Sequence, residues 1–122
     1  MNKKTILHID SDIKVLGAIK KILEKEGYEV ISIANSADAV DILKDKDFDL
    51  TILDIMMPDM AGWHTFHQLS KTKPDSKVAF LTNLELSSQR RDALEKAGVK
   101  EYFTKPINIK DFANRINKLF KE

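Results

Sequence analysis

Five short runs rich in β-branched and aromatic residues recur along the chain: TILHI at 5–9, YEVISI at 28–33, DLTILD at 49–54, KVAFLT at 77–82 and EYFT at 101–104. Each has about the length of a strand. Between them the apolar residues change period. Leu16, Ile19, Ile22 and Leu23 share one face of a helix over about 13–26, and Gly27 stops it as a residue just past a C-cap would. Ala39, Val40 and Leu43 mark a second helix over about 36–44. Phe66 and Leu69 mark a third that begins near Gly62 and ends before Lys73-Pro74. A fourth, over about 87–97, has Ala93, Leu94 and Ala97 as its apolar face and Gly98 as its stop. The fifth keeps the clearest helical spacing, through Ile109, Phe112, Ala113, Ile116, Leu119 and Phe120, with Asn108 at its N-cap. Strands alternating with helices predict an α/β fold with a parallel sheet covered on both faces, because parallel neighbours need crossover connections of one hand. The nearly continuous apolar character of the strands agrees.

No repeat, low-complexity tract or linker interrupts the pattern, so the expectation is one domain over residues 1–122. With a formal charge of +1, the whole-chain balance does not point to nucleic acid or an anionic membrane, and any electrostatic function must be local. The absence of cysteine excludes disulfides and thiolate zinc sites. The opening MNKKTILHIDSD holds too few apolar residues for a signal-peptide core, and no run approaches the ~20 residues of a membrane span. The reading is a cytoplasmic soluble domain.

In an open parallel sheet, ligands bind beyond the carboxyl ends of the strands, where the strand order reverses. Here those ends carry Asp10, Ser11 and Asp12 after the first strand and Asp54 after the third. Thr82 and Asn83 follow the fourth, and Lys105 and Pro106 the fifth. Singly, each has a plain structural explanation: an Asp caps a helix or forms a turn, a Thr suits a strand, a Lys-Pro lies in a loop. Jointly they complement one another. Two close carboxylates need a cation between them, and an oxygen-only ligand set without His or Cys suits a hard ion such as Mg2+. Such a set supports phosphoryl transfer to a carboxylate, with charge spread onto a metal and a lysine. Asp54 is the best nucleophile candidate, because it follows the most buried strand and the Met-Met-Pro turn behind it is expected to leave its carboxylate open to solvent.

The segments ILHIDSD, LTILDIMMPDMAGW, VAFLTN and EYFTKP resemble, in order, the four signature blocks of the two-component response-regulator receiver (CheY-like) domain. The resemblance implies a flavodoxin-like (βα)5 doubly wound sheet in the order 2-1-3-4-5. It also implies Mg2+-dependent transfer of a phosphoryl group from a sensor histidine kinase or phosphotransfer protein, with output through a downstream protein or a linked domain. Direct contact with nucleic acid or membrane is not implied, and dimerisation on activation stays open. In that pattern Asp54 matches the phospho-acceptor, while Asp10 and the Met56 carbonyl match metal ligands. Thr82 and Tyr102 match the switch pair, Lys105 the phosphate-facing lysine, and the bond to Pro106 the cis peptide. The switch face is formed by the fourth helix, fifth strand and fifth helix.

Three positions depart from the family pattern. Ser11 stands where a second acidic residue is usual, and Asp12, one place further on, can instead cap the first helix. Asn83 replaces a small residue beside the switch hydroxyl, and Ala61 replaces an Asp in the turn. Ser11 and Asn83 support a second reading, a pseudo-receiver that binds partners without phosphate. A multiple-turnover aspartate phosphatase of the haloacid dehalogenase type would need a second Asp where Met56 stands, and no Gly-rich loop after the first strand suggests nucleotide binding. The chain is therefore read as a switch, not an enzyme. His64 and His67 lack a third ligand for zinc and read as a solvated helix face. His8, inside the first strand, reads as a packed residue, and Trp63 as partly exposed. Lys3, Lys4, Lys14, Lys20 and Lys21 read as solvation of a surface.

Overall fold

The structure, a computed structural model, describes residues 3–56 and 62–121. Its strands are β1 (Thr5–Ile9), β2 (Glu29–Ile33), β3 (Leu50–Leu53), β4 (Lys77–Thr82) and β5 (Val99–Thr104). The helices alternate with them as α1 (Ile13–Lys25), α2 (Ser36–Asp45), α3 (Gly62–Thr72), α4 (Ser88–Lys96) and α5 (Ile109–Leu119). All strand pairs are parallel, as the alternation predicts, and the order is 2-1-3-4-5, as the family resemblance implies. β3 lies in the middle and every one of its residues is buried.

Side-chain alternation along the strands divides the core in two. On one face Leu7, Ile9, Leu53 and Phe80 pack against Ala39 and Leu43 of α2, Phe66 and Leu69 of α3, and Leu94 of α4. On the other, Ile6, Ile52, Leu81 and Phe103 meet Ile19 and Leu23 of α1 and Phe112 and Ile116 of α5. Helix ends follow local chemistry. Asp12 caps α1 by accepting from the amides of Lys14 and Val15, Ser87 caps α4, and Asn108 caps α5. Gly27 and Gly98, at φ +97° and +104°, take the left-handed conformation that ends α1 and α4.

Several expectations need correction. β5 begins at Val99, two residues earlier than its aromatic core suggests, because a bulge against β4 between Val78 and Ala79 admits the extra residue Lys100. Tyr28 precedes β2 instead of opening it, and Asp49 and Asp54 flank β3 without belonging to it. Ala93 and Ala97 are exposed, leaving Leu94 as the buried residue of α4. Ile109, at the first position of α5, is 62% exposed, whereas Phe112, Ala113 and Ile116 further along the helix are buried. The turn residues Met57 to Ala61, Ala61 included among the departures above, lie outside the described residues.

Candidate functional site

Asp10, Asp54 and Lys105 each follow the last residue of their strand, and each is still tied to the sheet through its backbone. The Asp10 amide donates to the Ile33 carbonyl at 3.1 Å, Asp54 to Ile9 at 3.1 Å and Lys105 to Thr82 at 2.8 Å. The ladder thus extends one residue past the strands and fixes three Cα positions at the sheet edge. The carboxylates flank the β1/β3 boundary, where the chain has gone to β2 on one side and returns to β3 on the other, the place expected for a ligand in this architecture.

Their side chains converge. Lys105 Nζ lies 2.7 Å from Asp10 Oδ2 and 3.1 Å from Asp54 Oδ2. The first contact is an ion pair off the angle of a hydrogen bond; the second is hydrogen-bonded. The remaining oxygens are held by backbone two residues on, Asp10 Oδ1 by the Asp12 amide at 2.9 Å and Asp54 Oδ1 by the Met56 amide at 2.8 Å. Asp10 is fully buried and Asp54 is 4% exposed. This corrects the expectation that the Asp54 carboxylate stands open to solvent: an ammonium and an amide cover it. The Lys105–Pro106 peptide is cis, as expected.

One ammonium between two buried carboxylates leaves a net negative charge at the sheet edge. Burial raises the Asp10 pKa against the lowering effect of Lys105 and the Asp12 amide, and the charge of Asp54 adds to the rise. For Lys105, burial pulls downward, but the contacts with Asp10 and Asp54 outweigh it and raise the pKa above the ordinary lysine value. An all-oxygen set at net negative charge, with Asp10 Oδ2 buried and without a hydrogen bond, fits a hard divalent cation. Asp10, Asp54 and the Met56 carbonyl are the groups that would hold it.

Thr82 and Tyr102 meet through Leu84. The Thr82 hydroxyl, fully buried, accepts from the Leu84 amide at 3.5 Å, and the Tyr102 hydroxyl donates to the Leu84 carbonyl. Tyr102 is itself buried, edge-on to Phe80 at 6.2 Å between centroids, with the Arg91 guanidinium 5.3 Å above its ring. Ser11, Asp12 and Asn83 are exposed, and one carboxylate oxygen of Asp12, Oδ1, accepts the two amides that cap α1. His64 and His67 are exposed on α3, and Trp63 is 37% exposed with its ring edge-on to Phe80.

Reading single motifs missed two partners. Leu84, which joins Thr82 and Tyr102, does so through its backbone and leaves no sequence signal. His8 does leave one: it stands two residues before Asp10, so the strand period puts both on the same face. It is fully buried with Nε2 3.9 Å from Asp10 Oδ2, and burial, aided by the charge of Lys105, lowers its pKa to about 3.

A family model described as the response regulator receiver domain matches residues 6–117. The transcriptional regulatory protein YvrH of Bacillus subtilis is 32% identical over 117 residues, which are 95% of this chain and 48% of that protein. The chain spans about half the length of YvrH and of several other regulators it matches. Among solved structures, a CheY-like receiver domain protein from Methanospirillum hungatei superposes with a TM-score of 0.86 at 31% identity, covering 97% of this chain and 94% of that one. The response regulator TrrA of Thermotoga maritima, in complex with Mg2+-BeF, gives 0.82 at 31% identity, covering 96% of this chain and 99% of that one. Fold, carboxylate–lysine cluster and sequence similarity over nearly the whole length agree: this chain belongs to the receiver-domain family of two-component response regulators.

Proposed function

We propose that residues 1–122 act as one phosphorylatable receiver, which takes a phosphoryl group on Asp54 from a phosphohistidine of a sensor kinase or phosphotransfer protein. The observation that carries this is Lys105 Nζ bridging Asp10 Oδ2 and Asp54 Oδ2 at 2.7 and 3.1 Å, at the sheet's topological switch. Asp54 Oδ2 attacks phosphorus in line with the leaving imidazole nitrogen. The P–O bond forms as the P–N bond breaks, and the electron pair stays on the nitrogen, which takes up a proton. Asp10, Asp54 and the Met56 carbonyl would hold Mg2+, which would supply charge neutralisation at the phosphoryl oxygens. Lys105 exchanges a carboxylate contact for a phosphoryl oxygen. The Met56 amide keeps the Asp54 carboxyl group oriented throughout.

Signal leaves by a shift of population. A phosphoryl group adds about −1.5 to −2 charges and new acceptor oxygens. Thr82 donates its hydroxyl proton to one of them and weakens its contact with Leu84, and the Tyr102–Leu84 hydrogen bond and the Arg91 contact then repack. The surface formed by α4, β5 and α5 is thereby offered to a downstream protein or linked output domain. The test is intact mass after incubation with acetyl phosphate. A phosphoryl adduct that needs Mg2+ and is absent in Asp54→Asn is expected; a folded protein that takes no phosphoryl group at millimolar Mg2+ overturns the proposal.

A further inference from the structure

Thr104 closes β5 with a hydroxyl that nothing holds: its Oγ1 is shut off from solvent and has no hydrogen-bond partner among the described residues. Buried polar groups are nearly always paired, because an unpaired one forfeits its hydration without return. A valine would fill the same space without that cost. The hydroxyl therefore calls for a state of the molecule in which it is used.

The sheet register identifies its neighbour. Phe80 pairs with Tyr102, Leu81 with Phe103 and Thr82 with Thr104. Phe80 and Tyr102 share one core cluster, and Leu81 and Phe103 share the other. One step further along both strands, Thr82 and Thr104 thus stand side by side on the face of Phe80 and Tyr102. Adjacent strands run about 4.8 Å apart, and threonines paired across them can hydrogen-bond to each other. The Lys105 amide, donating to the Thr82 carbonyl at 2.8 Å, fixes the two strand ends against each other at this point. At rest the Thr82 oxygen is turned to the Leu84 amide, a long contact of 3.5 Å.

A hydroxyl gives one proton and accepts at its oxygen. When Thr82 gives its proton to a phosphoryl oxygen on Asp54, its own oxygen leaves the Leu84 amide and is free to accept. The donor beside it is Thr104. We infer that Thr104 is a positioning residue of the switch: its hydroxyl donates to Thr82 Oγ1 as Thr82 turns to the phosphoryl group, and so holds Thr82 in its switched rotamer. This rests on the phosphoryl reading above. The bonds form a chain, Thr104 O–H to the Thr82 oxygen and Thr82 O–H to the phosphoryl oxygen, in which each polarises the next. Thr104 itself touches no reacting atom.

Calorimetric affinity for beryllofluoride, a phosphoryl mimic, at saturating Mg2+ tests this on wild type, Thr104→Val and Thr104→Ser. Val keeps the shape without the hydroxyl, while Ser keeps the hydroxyl. About fivefold weaker binding is expected in Thr104→Val, as for one lost neutral hydrogen bond, with Thr104→Ser within about twofold of wild type. Equal weakening in both variants overturns the inference in favour of packing alone. The same substitution is then made in a Thr82→Val background, where a residue that acts through Thr82 has nothing left to hold. There Thr104→Val should change the affinity less than about twofold; a second loss as large as the first contradicts the inference. A thermal melt with neither Mg2+ nor beryllofluoride should place Thr104→Val at or above wild type, because a methyl replaces an unpaired hydroxyl. A lower midpoint would mean that the hydroxyl is already paired at rest, which also overturns the inference. Folded wild type that binds no beryllofluoride overturns the phosphoryl reading and the inference with it, whereas wild type and Thr104→Val binding it equally well overturns the inference alone.

Discussion

Asp10 carries the clearest residue-scale consequence of the site's charge. Its pKa in the folded protein lies above the ordinary 3.8, chiefly because it is buried. A raised folded-state pKa contributes stability that is complete below the unfolded value and is lost as pH rises through the folded one. Ionised Asp10 therefore weighs against the fold at neutral pH. Asp10→Asn is expected to raise the thermal midpoint near pH 7, with the gain shrinking toward acidic pH as Asp10 itself takes up a proton. Thermal melts of both proteins across that range check it. The same variant should require far more Mg2+ for phosphoryl uptake, which separates a functional carboxylate from a structural one. Asp10, Asp54 and Lys105 were legible because strand ends in a parallel sheet are a defined place and three of them carried complementary groups. The cover over Asp54 was not, since it depends on where a lysine 51 residues away arrives. His8 was overlooked because a histidine inside a strand was weighed singly instead of by its two-residue step to Asp10.

At the scale of elements, Asp12 and Phe112 show how the helices hold the site. Asp12 sits beside the candidate metal ligand, yet its side chain accepts from the Lys14 and Val15 amides at 2.9 and 3.4 Å. Asp12→Ala should cost about 1 kcal/mol in chemical denaturation, the worth of an N-cap, while the Mg2+ dependence of phosphoryl uptake changes less than about threefold. A loss of Mg2+ dependence would instead make Asp12 the replacement for the acidic residue that Ser11 displaces. On α5, beside α1 on the same face of the sheet, Phe112 is fully buried with its ring 4.7 Å from that of Phe103. Truncating it leaves a cavity under the strand that leads to Lys105, and Phe112→Ala should cost about 3–5 kcal/mol. Periodicity located α5 well because its apolar face is long. It misread α4, where two alanines that match a helical face are too small to require cover, and it misplaced Ile109, whose spacing is right but which stands exposed at the first position of its helix.

Across the whole molecule, the two faces of the sheet divide the labour. Strand alternation from Ile6 puts His8 on the face of the sheet that α1 and α5 cover, whereas Tyr102 belongs to the cluster that includes α4. Thr82 ends β4 and contacts Leu84, which in turn holds Tyr102 beside Arg91, and under the proposed function it is the group that carries a charge on Asp54 to them. Thr82→Ala should still take up a phosphoryl group, but the change in amide exchange over residues 84–104 that accompanies uptake in wild type should disappear. An unchanged exchange response in the variant would mean that the signal travels another way. Every element of this account depends on where the phosphoryl group lands. The most direct measurement is to treat the acetyl-phosphate-labelled protein with borohydride, which reduces an aspartyl phosphate to homoserine, and to sequence the peptides by mass. Homoserine at position 54 alone is the predicted result; reduction at Asp10 or Asp12, or a label carried by His64 or His67, would contradict it.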